Sequence, residues 1–115
     1  MENSILADVK KYLPLGEEDD SFDDDIIDHI NTAFAVLNDL GVGPKNGYYI
    51  VDENNTWDEF IDFQASPKFN KIKSYVKMKV KLLFDPPSNS TLLESLKQQT
   101  NEFEWRLNVN SEEKE

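Results

Sequence analysis

The chain has 115 residues, a formal net charge of -11 and no cysteine. Its 38% hydrophobic and 11% aromatic residues are too many for a disordered chain, and its length suits one domain with a modest core. Without cysteine there are no disulfides and no thiolate metal sites. The acidic balance argues against general binding to nucleic-acid phosphates, and no apolar run reaches the ~20 residues of a membrane span.

Hydrophobic spacing predicts two helices in the N-terminal half. Apolar residues at helical spacing predict a first helix over 3–13, which Pro14 ends. A 4-3-4-3 apolar stripe predicts a second helix over 22–40. Ser21 is its expected N-cap, and Gly41 supplies a left-handed C-cap.

A long loop is predicted after the second helix, because three of the four glycines lie between 41 and 56. Its stretch YYIV forms either a short strand or a hairpin arm. Long loops in small domains are often functional, so we expect Tyr48, Tyr49 and Ile50 to contact a partner or to cover their own chain. Thr56 then begins a short helix, with a capping box completed three residues later.

The C-terminal half predicts two longer helices. One spans 67–84 and stops at the DPP sequence that follows it, and the other runs from about 88–91 to about Val109. Residues 110–115 are polar and charged, and we predict a disordered tail there. The predicted fold is therefore all-α, a small bundle of about four to five helices with a long central loop, forming a single domain over 1–109.

Basic and acidic residues are segregated along the chain. Half of the basic residues lie near or within the helix over 67–84, and eight acids surround the start of the second helix. Lys73, Lys77 and Lys81 share one helix flank, where they repel one another unless carboxylates of the same chain or of a neighbouring copy face them. Lys79 falls within the apolar stripe, so its ammonium group must snorkel, meet a carboxylate or lie in an interface.

Charge and one exposed aromatic residue suggest a subunit interface. Trp105 lies almost opposite the apolar stripe of the last helix, where it either anchors an interface or covers a loop of its own chain. Some acids at the start of the second helix stabilise it by complementing the helix dipole. Blocks of opposite charge on different helices also suit contacts between copies. The predicted interface residues are Lys73, Lys77, Lys79, Lys81, Asp24, Asp28 and Trp105.

The sequence gives no support for an enzyme. His29 is the only histidine and lies at the edge of an apolar stripe, as a packed boundary residue would. The acidic run lacks the glycine of a calcium-binding loop and has Phe22 where a ligand should stand. Phosphate loops, dinucleotide fingerprints and nucleophile elbows are missing. We therefore predict no catalytic, metal-binding or cofactor-binding residue.

Five stretches of the chain carry characteristic packing and turn residues. They are YVKMKVKLLFDPP at 75–87, the helix from LLESLK at 92–97 through EWRLNV at 104–109, DHINTAF at 28–34, LNDLGVGP at 37–44 and TWDEF at 56–60. Together these stretches resemble the head–tail connector (adaptor) proteins of long-tailed bacteriophages and prophages. The resemblance covers nearly the whole chain. It carries no catalytic signature.

The resemblance implies a structural protein that forms a ring, usually dodecameric, beneath the portal at the head vertex. Such a ring extends the channel, through which DNA passes without sequence-specific binding, and offers a platform for the next neck or tail-completion protein. It implies location in the virion neck, host cytoplasm during assembly, and neither a cofactor nor a membrane partner. The loop over 42–55 would reach into the channel or toward a partner.

Two other functional classes remain open. An acidic DNA-mimic or regulatory protein would spread its acids along an exposed strip, whereas many of the acids here bunch at one helix start. A DNA-binding helical module would use the lysine-rich helix. The net charge and the single arginine, Arg106, weigh against that module, because arginine is the usual reader of bases.

Overall fold

A computed structural model describes residues 4–15, 19–41, 47–60 and 67–113, with the backbone alone at 67–69 and 107–113. These residues form five α-helices: α1 (Ile5–Lys11), α2 (Asp23–Asp39), α3 (Trp57–Phe60), α4 (Pro67–Phe84) and α5 (Ser90–Glu113). In the same residues there is no strand, only an isolated bridge between Ser4 and Thr56. The predicted all-α bundle is confirmed.

The central element of the bundle is α4, which packs against α1, α2 and α5. The ring of Phe84, the last residue of α4, lies 5.6 Å from the ring of Phe22 at the start of α2, so these two helices run antiparallel. In the same way, Tyr75 of α4 bonds Glu104, well along α5, so α5 also runs antiparallel to α4. The short connection between α4 and α5 favours this antiparallel arrangement.

The apolar core lies between α1, α2, α3 and α4. Burying each large apolar side chain contributes about 1.5–3 kcal/mol relative to exposure, so this cluster supplies most of the stabilisation. Among the described residues, α5 adds only the partly buried Phe103 to it. The largest fully buried side chains are Trp57, Tyr75, Phe34, Ile5, Ile26, Ile30, Leu37, Ile50, Ile72, Val9 and Val76.

The start of α2 differs from the prediction. Phe22 occupies the N-cap position and makes no capping hydrogen bond with its side chain, so the predicted Ser21 cap is wrong. The reason is local, because the backbone N–H of Ser21 donates to Asp19 Oδ1 at 3.0 Å and forms a turn before the helix. Three aspartates in the first turn of α2 complement the helix dipole instead.

The last helix is longer than predicted. It begins after Asn89, whose Oδ1 accepts hydrogen bonds from the backbone of Thr91 and Leu92, and it continues to Glu113. It therefore passes the predicted end near Val109 and covers four residues of the expected tail, because neither proline nor glycine follows to break it. Although α5 is long, neither it nor any other described helix is apolar enough to cross a membrane.

The stretch 48–51 of the central loop does not form a strand. Ile50 is buried, and its backbone N–H donates to Asn31 Oδ1 at 2.8 Å while its carbonyl accepts from Asn31 Nδ2 at 3.0 Å. The side-chain amide of α2 thus takes the place of a neighbouring strand and satisfies both backbone groups. Residues 42–46 of the predicted loop lie outside the described residues.

We expect Asn31→Ala to destabilise the protein by about 1–3 kcal/mol, because it leaves two backbone groups of buried Ile50 without partners. Urea unfolding followed by circular dichroism measures this change. Thr32→Ala is the matched control, since Thr32 is exposed and its hydroxyl bonds only the Asp28 carbonyl of its own helix. Equal midpoints for the two variants would contradict the prediction.

Candidate assembly surface

Two of the lysines predicted to meet a neighbouring copy are matched inside the chain. Lys77 Nζ lies 3.2 Å from Asp8 Oδ1, and Lys73 Nζ lies 3.9 Å from Asp8 Oδ2. The indole Nε1–H of Trp57 donates to the same carboxylate at 3.1 Å. These four residues form the Asp8 cluster, in which one half-buried acid of α1 joins α3 and α4.

The Asp8 cluster has a structural reason that the sequence does not show. The Trp57 indole is 1% exposed, and a buried indole N–H needs an acceptor. Lys73 Nζ also lies 5.6 Å from the centroid of the Trp57 ring, within the range of a cation–π contact. This internal pairing argues against the predicted subunit contacts of Lys73 and Lys77.

Lys79 meets a carboxylate within the chain, which is one of the outcomes predicted for it. Its Nζ lies 3.6 Å from Glu104 Oε2, and the hydroxyl of Tyr75 donates to the same oxygen at 2.8 Å. Burial, together with the Glu104 carboxylate, raises the pKa of Tyr75, which keeps its hydroxyl protonated as a donor. These three residues form the Glu104 cluster, which fastens α5 to α4.

The remaining predicted lysine is also paired. Lys81 Nζ lies 2.5 Å from Asp85 Oδ2, one turn further along. Lys10 of α1 pairs with Asp23 of α2 at 2.8 Å, although this contact lacks the geometry of a hydrogen bond and leaves Asp23 Oδ1 without one. The Lys10–Asp23 pair therefore joins α1 to α2, whereas the Lys81–Asp85 pair lies at the end of α4.

The other predicted interface residues remain at the surface. Asp24 and Asp28 are exposed on α2, and the side chain of Trp105 is 65% exposed on α5. An exposed tryptophan of this kind is typical of an interface anchor. Their role in contacts between copies stays a prediction.

The three predicted loop residues separate in the structure. Ile50 lies in the core, which argues against contact with a partner. Tyr48 packs edge-on against Phe34, with ring centroids 5.2 Å apart, and is half-buried. Tyr49 is 68% exposed, and Val51, which we did not predict, is 63% exposed. The period of two in an extended segment would have placed Tyr49 and Val51 on one side and Ile50 on the other.

Glu59 fastens the end of this loop. Its Oε1 accepts hydrogen bonds from Asn55 Nδ2, the Tyr48 hydroxyl and the backbone N–H of Thr56, and these lower the pKa of the Glu59 carboxyl. The bond to Thr56 is the glutamate half of the predicted capping box. Burial and the bond to Glu59 raise the pKa of Tyr48.

Groups suited to catalysis are not brought together in the described part of the chain. His29 is half-buried, and its ring meets the Phe84 ring edge-on with centroids 6.2 Å apart, as expected for a packed boundary residue. No three histidine or acidic side chains of the described residues gather to hold a metal ion. A cleft of about 520 Å³ beside α1 contains charges of both signs on Lys10, Lys11, Asp23 and Glu53 over apolar side chains.

Asp8→Ala is expected to destabilise the protein by about 2 kcal/mol, because it removes a charged acceptor from the buried Trp57 indole and an anion from Lys77. Urea unfolding measures the change. Glu102→Ala provides the control, since its pair with Arg106 is exposed and should contribute less than about 1 kcal/mol. A cost for Asp8→Ala as small as that of the control would show that the cluster is not a structural junction.

The lowered pKa of Glu59 predicts that the stability of the protein depends on pH. Because folding lowers the pKa of Glu59 below its ordinary value of 4.5, the stabilisation is complete above that value and is lost as the pH falls through the folded pKa. We expect Glu59→Gln to be less stable than the parent at pH 7, with a smaller gap between their urea midpoints at pH 3. A gap of the same size at both pH values would contradict this account.

Comparison with known proteins agrees with the resemblance found in the sequence. Neither the curated proteins nor the solved structures gave a significant match. The model of a family described as phage connector protein matches residues 5–114, which is nearly the whole chain. This match includes all five helices of the described structure. The chain belongs to the phage connector protein family.

Proposed function

We propose that this protein is a neck component that forms a ring beneath the portal, joins the head to the tail and extends the DNA channel. The observation that carries the proposal is the family match over residues 5–114, because a connector of this kind acts through its shape and contacts. In the virion its partners are further copies of the chain, the portal protein and the next neck or tail-completion protein. The chain is structural and has no reaction to perform.

The distribution of charge supports a role around DNA. In the described residues, six basic side chains are matched by acids of their own chain, so their charges are largely satisfied internally. The acids Asp24, Asp25 and Asp28 remain exposed on α2. An acidic protein of this kind does not hold the phosphate backbone, so DNA could pass through the proposed ring freely. The paired cations are Lys10, Lys73, Lys77, Lys79, Lys81 and Arg106.

In a ring, one surface of each copy contacts a different surface of the next copy. The exposed acids Asp24 and Asp28 lie on α2, whereas Trp105 lies on α5, and these helices pack against α4 at different places. We therefore assign the acidic start of α2 and the Trp105 side of α5 to contacts with neighbouring copies or the portal. Tyr49 belongs to the loop surface that faces the next component.

The proposal is tested by mixing the purified chain with portal rings of the same phage and measuring mass by light scattering across protein and salt concentrations. We expect a complex with several copies of the chain on each portal ring. A chain that stays monomeric at every concentration and does not bind portal rings would refute the connector ring. Tight binding to duplex DNA at physiological salt would support the DNA-binding alternative.

Trp105→Ala is expected to weaken binding to portal rings or to neighbouring copies by at least about 2 kcal/mol, which is roughly 30-fold. The stability of the isolated chain should change by less than about 0.5 kcal/mol, because the side chain is largely exposed. Tyr12→Ala is the matched control, since Tyr12 is an aromatic residue with 48% exposure outside the assigned surfaces. Assembly that tolerates both changes equally would remove Trp105 from the interface.

A further inference from the structure

The helix α5 is attached to the rest of the protein differently from the other long helices. Its main contacts are with α4, and Thr100 is the only fully buried side chain among its described residues. The hydroxyl of Thr100 bonds the Leu96 carbonyl of its own helix and therefore does not fasten α5 to α4. Leu93, Leu96 and Phe103 are only half-buried.

The specific connection between α4 and α5 is polar and compact. It is the Glu104 cluster, in which one carboxylate of α5 meets the hydroxyl of Tyr75 and the ammonium group of Lys79 on α4. Any α5 that presents Glu104 to this part of α4 would form the same contacts. The connection therefore specifies how the two helices fit, without requiring that both belong to one chain.

The two helices are capped separately, so each can persist without the other. At the end of α4, the Asp85 backbone N–H bonds the Lys81 carbonyl. At the start of α5, Asn89 caps the first turn. With 24 residues, α5 exceeds the roughly 12–15 residues below which an isolated helix is marginal, and a Glu102–Arg106 pair one turn apart adds support.

The linker and the length of α5 suit an exchange between copies. Between the caps lie Pro86 and Pro87, whose fixed backbone angles favour an extended segment over a compact one. With a rise of 1.5 Å per residue, α5 is roughly 36 Å long, close to the longest dimension of the described structure, 42 Å. An α5 that swings about this linker reaches well beyond its own subunit.

We propose that, in the assembled ring, α5 of each copy leaves its own α4 and packs on the α4 of a neighbouring copy. The occupant of the exposed α4 face is thus a second copy of this chain, and the Glu104 cluster forms between subunits. Exchange of an identical element costs little, because the same contacts form again, and copies gathered on a portal ring are at high effective concentration. This inference rests on the proposed ring.

The test uses the unmodified protein. Equal amounts of ordinary and uniformly ¹⁵N-labelled chains are assembled on portal rings and treated with a zero-length carbodiimide, which joins lysine ammonium groups to nearby carboxylates. Mass spectrometry of the linked Lys79–Glu104 peptides then shows whether both halves carry the same isotope. The internal control is the Lys10–Asp23 link, because it joins α1 to α2 across a 2.8 Å ion pair within one chain.

If α5 is exchanged, about half of the Lys79–Glu104 links from rings should be mixed in isotope, whereas links from the isolated monomer and all Lys10–Asp23 links should not be. Rings whose Lys79–Glu104 links all carry one isotope would overturn the exchange and leave the ring proposal intact. Failure to assemble on portal rings would overturn the ring proposal itself, and the exchange with it.

Discussion

The structure depends on placing a lysine-rich helix at the centre of a small bundle. Four described lysines of α4 are partly buried, and an ammonium group in such a place needs an anion beside it. Asp8 of α1 serves Lys73 and Lys77, Glu104 of α5 serves Lys79, and Asp85 serves Lys81. The positions of α1 and α5 around α4 are therefore fixed by charge as well as by apolar packing.

The hydrophobic period was enough to predict the helices and most of the core. Partners distant in the chain were not predictable, because spacing along one helix shows only which side a lysine faces. The bond between Asp8 and Trp57 joins residues 49 positions apart, and no local pattern distinguishes Asp8 from the many other acids of the chain. The sequence therefore predicted that carboxylates face the lysines of α4, but it could not show whether those carboxylates belong to the same chain or to a neighbouring copy.

The errors at the start of α2 and in the loop have a common physical origin. Polar side chains with several possible backbone partners compete, and the sequence does not show which of them prevails. Asp19 bonds the backbone of Ser21, and Asn31 bonds Ile50 in place of a strand. The second case had a functional consequence, because a loop that looked available to a partner is anchored in the core at Ile50. Within the stretch 48–51, Tyr49 and Val51 are the exposed residues.

The internal pairing of the lysines changes how the charge of the chain relates to assembly. Cations that are already matched within a subunit contribute little attraction between subunits, so a net charge of -11 would make approaching copies repel one another. Apolar anchors such as Trp105 and contacts that carry their own counter-charge are then the means left to hold copies together. The Glu104 cluster is a contact of this second kind, because the proposed exchange of α5 places Glu104 of one copy beside Lys79 and the Tyr75 hydroxyl of the next, so the carboxylate meets its cation across the boundary. In the proposed ring around DNA, this arrangement would join copies while leaving the exposed surface acidic.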